Sequence, residues 1–300
     1  MIPAKALARL PILAILCFSA GCSVLNPAGS GAPRPADPLH TQAQDALDRW
    51  ADAAKKSGGA TIAFVGEQTS QLGDWETSIG DNNKPALMAG LLTAPTTLSD
   101  ARPDRSRVRW LDGKSVDVDV LSAADALEDL VAAAEGECAD CLPLRVTEAN
   151  LATGLVETAQ GPAEAPLWVF TIEGTDVRVT RIAVDPSITV VPPPYNADHP
   201  PDGLSIESAV GTPGASKLTV SFTGAVKTGD QPCGADYTAE AVESDLAVVV
   251  IVTERRRAIL ESCPAIGKTR TASVTLDAPL GTRAVLEVRQ GLPVPVRAPD

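Results

Sequence analysis

Histidine is nearly missing from this chain of 300 residues, with only His40 and His199 present, and both lie in proline-rich stretches. A catalytic base must be held to a fraction of an ångström by a rigid surround, so His199, within NADHPPDG, reads as part of a linker. General acid–base chemistry built on histidine is thereby disfavoured. Aromatic residues make up 3% of the chain and no tryptophan follows Trp168, which argues against the exposed aromatic platforms of a sugar-binding module. Beyond the first twenty or so positions no apolar run approaches the length of about 20 residues that a membrane-spanning helix needs. Cys138-x-x-Cys141 lacks the second ligand pair of a zinc site, since Cys233 and Cys263 are far apart in sequence and the two histidines are scattered. Gly113-Lys114-Ser115 lacks the glycine a phosphate-binding loop requires five positions earlier, where Val108 stands. Asp81-Asn82-Asn83 lacks the spacing and glycine of an EF-hand and reads as a turn. Asp112, Asp117 and Asp119 supply too few oxygens for calcium and read as a solvated face. No metal or cofactor is expected.

Positive charge is also scarce. The chain carries 38 acidic against 25 basic residues, a formal net charge of −13. Such a balance repels nucleic acid and anionic headgroups. The one dense basic cluster, Arg255-Arg256-Arg257, lies between Glu254 and Glu261 and reads as a solvated loop that discourages edge-to-edge aggregation.

What is present begins with MIPAKALARLPILAILCFSAGC, in which Lys5 and Arg9 precede an apolar run and small residues, the pattern of an export signal. Ser19-Ala20-Gly21-Cys22 resembles the lipobox of bacterial lipoproteins, with Ser19 where leucine is usual. The resemblance implies cleavage after residue 21, lipidation of the Cys22 sulfur, and a protein held at the extracytoplasmic face of the cell membrane. With Cys17 lost and Cys22 acylated, Cys138, Cys141, Cys233 and Cys263 remain, an even number in an exported chain. Three pairings exist in principle. Separation and strand pattern favour Cys138 with Cys141 and Cys233 with Cys263. A redox role for GECADC is disfavoured because the pair follows a helix and stands among Glu135, Glu137 and Asp140, which oppose thiolate formation.

Residues 22–40 are rich in Pro, Gly, Ala and Ser and read as a tether. From Thr41, a plausible N-cap, Ala43, Ala46, Leu47, Trp50, Ala53 and Ala54 share a helical face that ends at Gly58. Strands are expected over Ala60–Val65, Trp75–Ile79, Ala86–Thr93, Arg107–Leu111 and Ser115–Leu121, with Asp112-Gly113 turning the last two into a hairpin. A second helix starts at Ser122, and Leu144–Thr158, Leu167–Ile172 and Val177–Val184 continue as antiparallel strands. Six prolines in Asp185–Gly203 mark a linker. The stretch that follows is all strand, and Ala247–Val252 reads as covered on both faces. The expected organisation is a signal peptide at 1–21, a tether at 22–40, an α+β region at 41–185, a linker at 186–203 and an all-β, Ig-like sandwich at 204–300. Trp50, Trp168 and Phe170 read as core, Trp75 and Trp110 less plainly so.

A helix followed by three antiparallel strands is similar to secreted PepSY-like and cystatin-like modules. PCGADYTAEAVES, the stretch from Cys263 to Leu276, PLGTRAVLEVRQGLPVPV, GDWE, NNKPALMAG, CADCLPLRVT and PLWVF resemble an uncharacterised family of actinobacterial secreted lipoproteins. That resemblance implies an envelope protein and transfers no catalytic residue. The expected function is non-catalytic binding by a membrane-anchored lipoprotein, with an envelope protein as a possible partner. A solute-binding lipoprotein of a transporter, which needs a cleft between two lobes, is the first alternative. An extracytoplasmic hydrolase using convergent carboxylates is the second.

Overall fold

The computed structural model describes residues 37–59, 62–76, 80–193, 195, 202–256, 263 and 265–299. The leader, Cys22, most of the tether, and His199 lie outside them. The protein is mostly β-sheet with three helices, and its several antiparallel and mixed sheets are compatible with a β-sandwich. In chain order the elements are α1 (Pro38–Lys56), β1 (Thr69–Leu72), α2 (Gly80–Met88), β2 (Leu92–Thr93), β3 (Ser106–Trp110), β4 (Ser115–Val118) and α3 (Ala123–Ala132). Then follow β5 (Leu144–Thr158), β6 (Gly161–Ile172), β7 (Arg178–Ile182), β8 (Ser208–Val210), β9 (Lys217–Ala225), β10 (Ala235–Glu243) and β11 (Ala247–Arg256). The last are β12 (Gly267–Thr275), β13 (Ala284–Glu287) and β14 (Val296–Arg297). Among the described residues no helix is long and apolar enough to cross a membrane.

The C-terminal strands form a three-stranded sheet, β10-β11-β13, and a four-stranded sheet, β12-β9-β8-β14. Leu218, Val220 and Phe222 of β9 face Val248, Val250 and Val252 of β11 across one apolar core. The alternate residues of β11, Ala247, Val249 and Ile251, turn the other way and meet Ala43, Ala46, Leu47 and Trp50 of α1. β11 is thus buried on both faces, as its unbroken apolar run requires. The helix grouped by sequence with the N-terminal strands therefore packs on the C-terminal sheet. Gly291 lets it approach closely: its φ is +69°, and a Cβ there would stand 2.8 Å from that of Ala46. Gln42 Nε2 donates to Val288 and Asp202 carbonyls at 2.7 and 3.0 Å, and Arg49 donates to Pro193 and Gln290.

The N-terminal sheet runs β1-β7-β6-β3-β4, with β5 along the other side of β6. β6 changes its buried face near Pro166. Before it Ala163 and Ala165 are buried with Val108 and Val118 of β3 and β4, and after it Trp168, Phe170 and Ile172 are buried with Ala126 and Leu130 of α3. Trp168 and Phe170 are core, as is Trp50.

Several local expectations differ from what forms. α1 begins at Pro38 instead of Thr41, because Asp37 accepts from the Leu39 N–H and proline suits the first helical position. The strand expected over Ala86–Thr93 is the end of α2, a turn, and the short β2. Gly90, at φ +66°, stops the helix: the Leu91 N–H reaches Ala86 O and the Gly90 N–H reaches Leu87 O, a Schellman ending. Asp81-Asn82-Asn83, expected as a turn, lies in the first turns of that helix. The strand expected over Trp75–Ile79 does not include Trp75 or Glu76, whose carboxylate accepts from Thr175 Oγ1 and the Asp176 N–H at 2.8 and 3.2 Å; residues 77–79 lie outside the described set, and β1 at Thr69–Leu72 was not expected. Of Ala60–Val65, residues 60 and 61 lie outside the described set, and among the rest Ile62 and Phe64 form single bridges. The Asp112-Gly113 hairpin and the Ser122 cap form as read.

Two disulfides are present, Cys138–Cys141 and Cys233–Cys263, each with Cα atoms 5.5 Å apart. The first lies in the loop after α3, which Asn82 holds to α2 by exchanging hydrogen bonds with Leu142 at 2.7 and 3.2 Å. The second joins the segment before β10 to the segment beyond β11, at the open end of their hairpin. Replacing Cys233 and Cys263 with serine together is expected to cost about 3 to 4 kcal/mol, the loop-closure value for thirty residues. Urea unfolding of the oxidised wild type and the double variant measures the difference.

Candidate functional site

A cleft of about 870 Å³ lies where the N-terminal sheet meets loops of the C-terminal sheets. Its size falls in the usual range for ligand sites, about 300 to 1,000 Å³. One wall is the β3–β4 hairpin, with Trp110, Leu111 and Val116, together with the β5–β6 turn at Ala159 to Pro162. The other wall comes from Gly211 to Pro213 after β8, Leu280 to Arg283 before β13, and β14 with Ala298.

Each wall is set by its own hydrogen bonds. In the first, Thr158 is fully buried and its hydroxyl is a hub: it donates to Gly161 O at 2.6 Å and accepts from Trp110 Nε1 at 2.9 Å and the Gln160 N–H at 3.2 Å. Trp110 therefore stands with its nitrogen satisfied and its ring along the cleft. Gly161, at φ +107°, comes so near the second wall that a Cβ would lie 3.0 Å from Val296 O. In the second wall, Gly211 N–H donates to Arg297 O, Gly281 N–H to Pro213 O, and Leu280 N–H to Ala215 O, at 2.8 to 2.9 Å.

Arg283 organises the far end. Its guanidinium pairs with Glu243 at 2.6 Å and also donates to the carbonyls of Leu280, Ala278 and Pro279. The two side chains are only 11% and 15% exposed, so this is a desolvated pair. Burial works against the Glu243 charge, yet the Asp277 N–H and the Arg283 guanidinium together hold its carboxyl below the usual glutamate range.

The remaining charges lining the cleft are also paired within the protein. Lys114 lies 2.9 Å from Asp112, whose carboxyl is held low by the backbone and side chain of Lys114, and Arg297 lies 2.9 Å from Glu157. Asp112 is the one carboxylate among the described lining residues, so the wall brings no two acids together. What remains facing the space is mostly apolar side chain and backbone, with the uncharged polar side chains of Ser115, Gln160, Thr212 and Thr282 among them.

The residues singled out by sequence fall as follows. Asp117 and Asp119, on the β4 side, are taken by Arg107 and Arg105 at 2.9 Å each, and among the described residues no group of three metal-ligating side chains gathers. His40 lies on α1, 3.2 Å from Glu240 on the surface. Trp75 packs beside the core under α3. Arg255 and Arg256 end β11 and pair with Asp236 and Glu254. None of the four bonded cysteines lines the cleft. The cleft itself escaped sequence reasoning because its walls come from five separate stretches of chain. Its one sequence trace is a set of Gly and Pro turns, Gly161-Pro162, Gly211-Thr212-Pro213 and Pro279-Leu280-Gly281, each of which forms part of the rim.

Replacing Arg283 with alanine would strand the Glu243 carboxylate in a dry site and is expected to destabilise the protein by about 3 to 5 kcal/mol at neutral pH. Because the folded-state pKa of Glu243 is depressed, its contribution is complete above the usual carboxylate range and is lost as pH falls through the lowered folded value. The gap between wild type and Arg283→Ala in urea midpoint should therefore be widest near neutrality and narrow steadily on acidification.

Comparison of the chain with protein-family models, with curated proteins and with solved structures found no match.

Proposed function

We propose that this protein is a lipoprotein of the cell envelope, acylated at Cys22 and held on the extracytoplasmic face of the membrane, that binds an uncharged apolar ligand in the cleft without transforming it. One observation carries the ligand class: Trp110, Leu111, Val116, Pro162 and Val296 line the cleft, while each charged lining residue already has an ionic partner. A ligand with a formal charge would have to displace an existing pair; an apolar one would only displace water. In this reading the chain belongs with the actinobacterial secreted lipoproteins, its C-terminal strands form an Ig-like sandwich, and α3 with β5 to β7 is the PepSY- or cystatin-like element. An envelope protein partner would receive or deliver the ligand. The second reading, a solute-binding lipoprotein feeding a transporter, is favoured by the position of the same cleft between two β-layered regions, and it differs in expecting a polar solute.

The uncharged fluorophore N-phenyl-1-naphthylamine distinguishes the two. Saturable binding with energy transfer from tryptophan is expected, and Val116→Asp, which places an unpaired carboxylate on the wall, should weaken it about tenfold. Leu142→Asp, at an exposed position outside the cleft, should leave it unchanged. Absence of saturable binding, or equal binding by Val116→Asp in a folded protein, overturns the apolar reading. Intact mass of the membrane-extracted chain should show an N-terminal Cys22 carrying acyl groups; a chain that keeps its leader overturns the anchor.

A further inference from the structure

β5 is fifteen residues long and paired along its inner side with β6, from Val146 to Thr158. Its outer side is covered only at the two ends. β2 lies beside Leu144 and Arg145, and Phe64 bridges to Thr158. From Thr147 to Val156 no strand lies against this edge among the described residues. The Val65 N–H donates to Glu157 O at 2.9 Å, which fixes the outward direction of that carbonyl. By strand alternation the main-chain groups of Leu155, Thr153, Leu151 and Ala149 point to the same open side.

Open edges of this kind are normally blunted by lysine, proline, a bulge or an inward charge. Here the open run Ala149–Val156, ANLATGLV, has no charge and no proline, and the one irregularity lies before it, between Val146 and Glu148. Leu151 and Leu155 are 41% and 67% exposed. In a chain of net charge −13, an uncharged, apolar, unprotected edge of this length is out of keeping with the rest of the surface.

We propose that β5 pairs antiparallel with β5 of a second copy across a two-fold axis near Thr153. The edge is complementary to itself. An antiparallel two-fold pairing centred at Thr153 sets odd-numbered residues opposite odd-numbered ones, so the free main-chain groups of Leu151, Thr153 and Leu155 face their counterparts. Leu151 of each copy then lies opposite Leu155 of the other, which removes both exposed leucines from water. Glu148 would fall opposite Thr158 and Glu157 opposite Ala149, so no two carboxylates oppose each other. The pairing ends where the Phe64 segment already occupies the edge. The result is one sheet continuous through two molecules.

Sedimentation velocity of the Cys22→Ser chain, from micromolar to near-millimolar concentration, tests this with no acyl group able to drive association. A concentration-dependent dimer is expected, with amide exchange slowing at Leu151, Thr153 and Leu155 as it forms. Leu155→Lys adds a charge at a solvent-facing position, and Thr153→Pro removes an outward N–H that β6 does not use. Each should raise the dimer dissociation constant at least about tenfold with the monomer fold retained by circular dichroism. Leu155→Lys carries the test by itself if the proline variant does not fold. A wild type that stays monomeric throughout, or a dimer that Leu155→Lys leaves intact, overturns the proposal.

Discussion

The two-sided burial of β11 is the constraint on which the arrangement of this protein depends. Ala247 to Val252 has no polar face, so the strand is stable only when both faces are covered. The β9 sheet covers one side with Leu218, Val220 and Phe222, and α1 covers the other with Ala43, Ala46, Leu47 and Trp50. Burial of the valine, leucine and phenylalanine side chains among these contributes about 1.5 to 3 kcal/mol each. That gain draws α1 onto a strand some two hundred residues later, and the carbonyls of Pro193 and Asp202 are bonded to the helix by Arg49 and Gln42.

The cleft follows from that placement. With α1 seated on the sheet of β11, Ala63, Ala159 and Val190 join the same apolar cluster, and the β5–β6 turn is carried up to β14. Two walls of unrelated sequence origin then face each other. Their charges are neutralised locally, Asp112 by Lys114, Glu157 by Arg297, and Glu243 by Arg283, which leaves a mostly apolar space in a strongly acidic protein. The open edge of β5 is a second departure from the acidic surface, and it belongs to the same strand whose end builds the cleft wall.

Features governed by neighbours in the chain were legible before any coordinates. Asp112-Gly113 turns a hairpin because positive φ is available there, Ser122 caps α3 because its side chain reaches the Asp125 N–H, and β5 spans the residues its composition indicates. Both disulfides join the cysteines that separation and strand order favour. α2 was not legible: Ala86–Thr93 reads as an apolar strand, yet Ala86 is buried with Leu130 and Phe170, and packing outweighs the local preference. The start of α1 was hidden because Pro38 looks like tether until Asp37 is seen to cap it.

By itself, the sequence determined the locally encoded features: most of the strands, the turns that need glycine, two covalent ties, an acidic surface, and an apolar strand that must be covered twice. Tertiary structure alone decided which helix covers that strand, which loops face one another across the cleft, and which carboxylate each arginine takes. The reason is physical. Backbone propensity and turn geometry act over a few residues, whereas burial and charge pairing are indifferent to sequence distance and are settled only when the chain closes on itself.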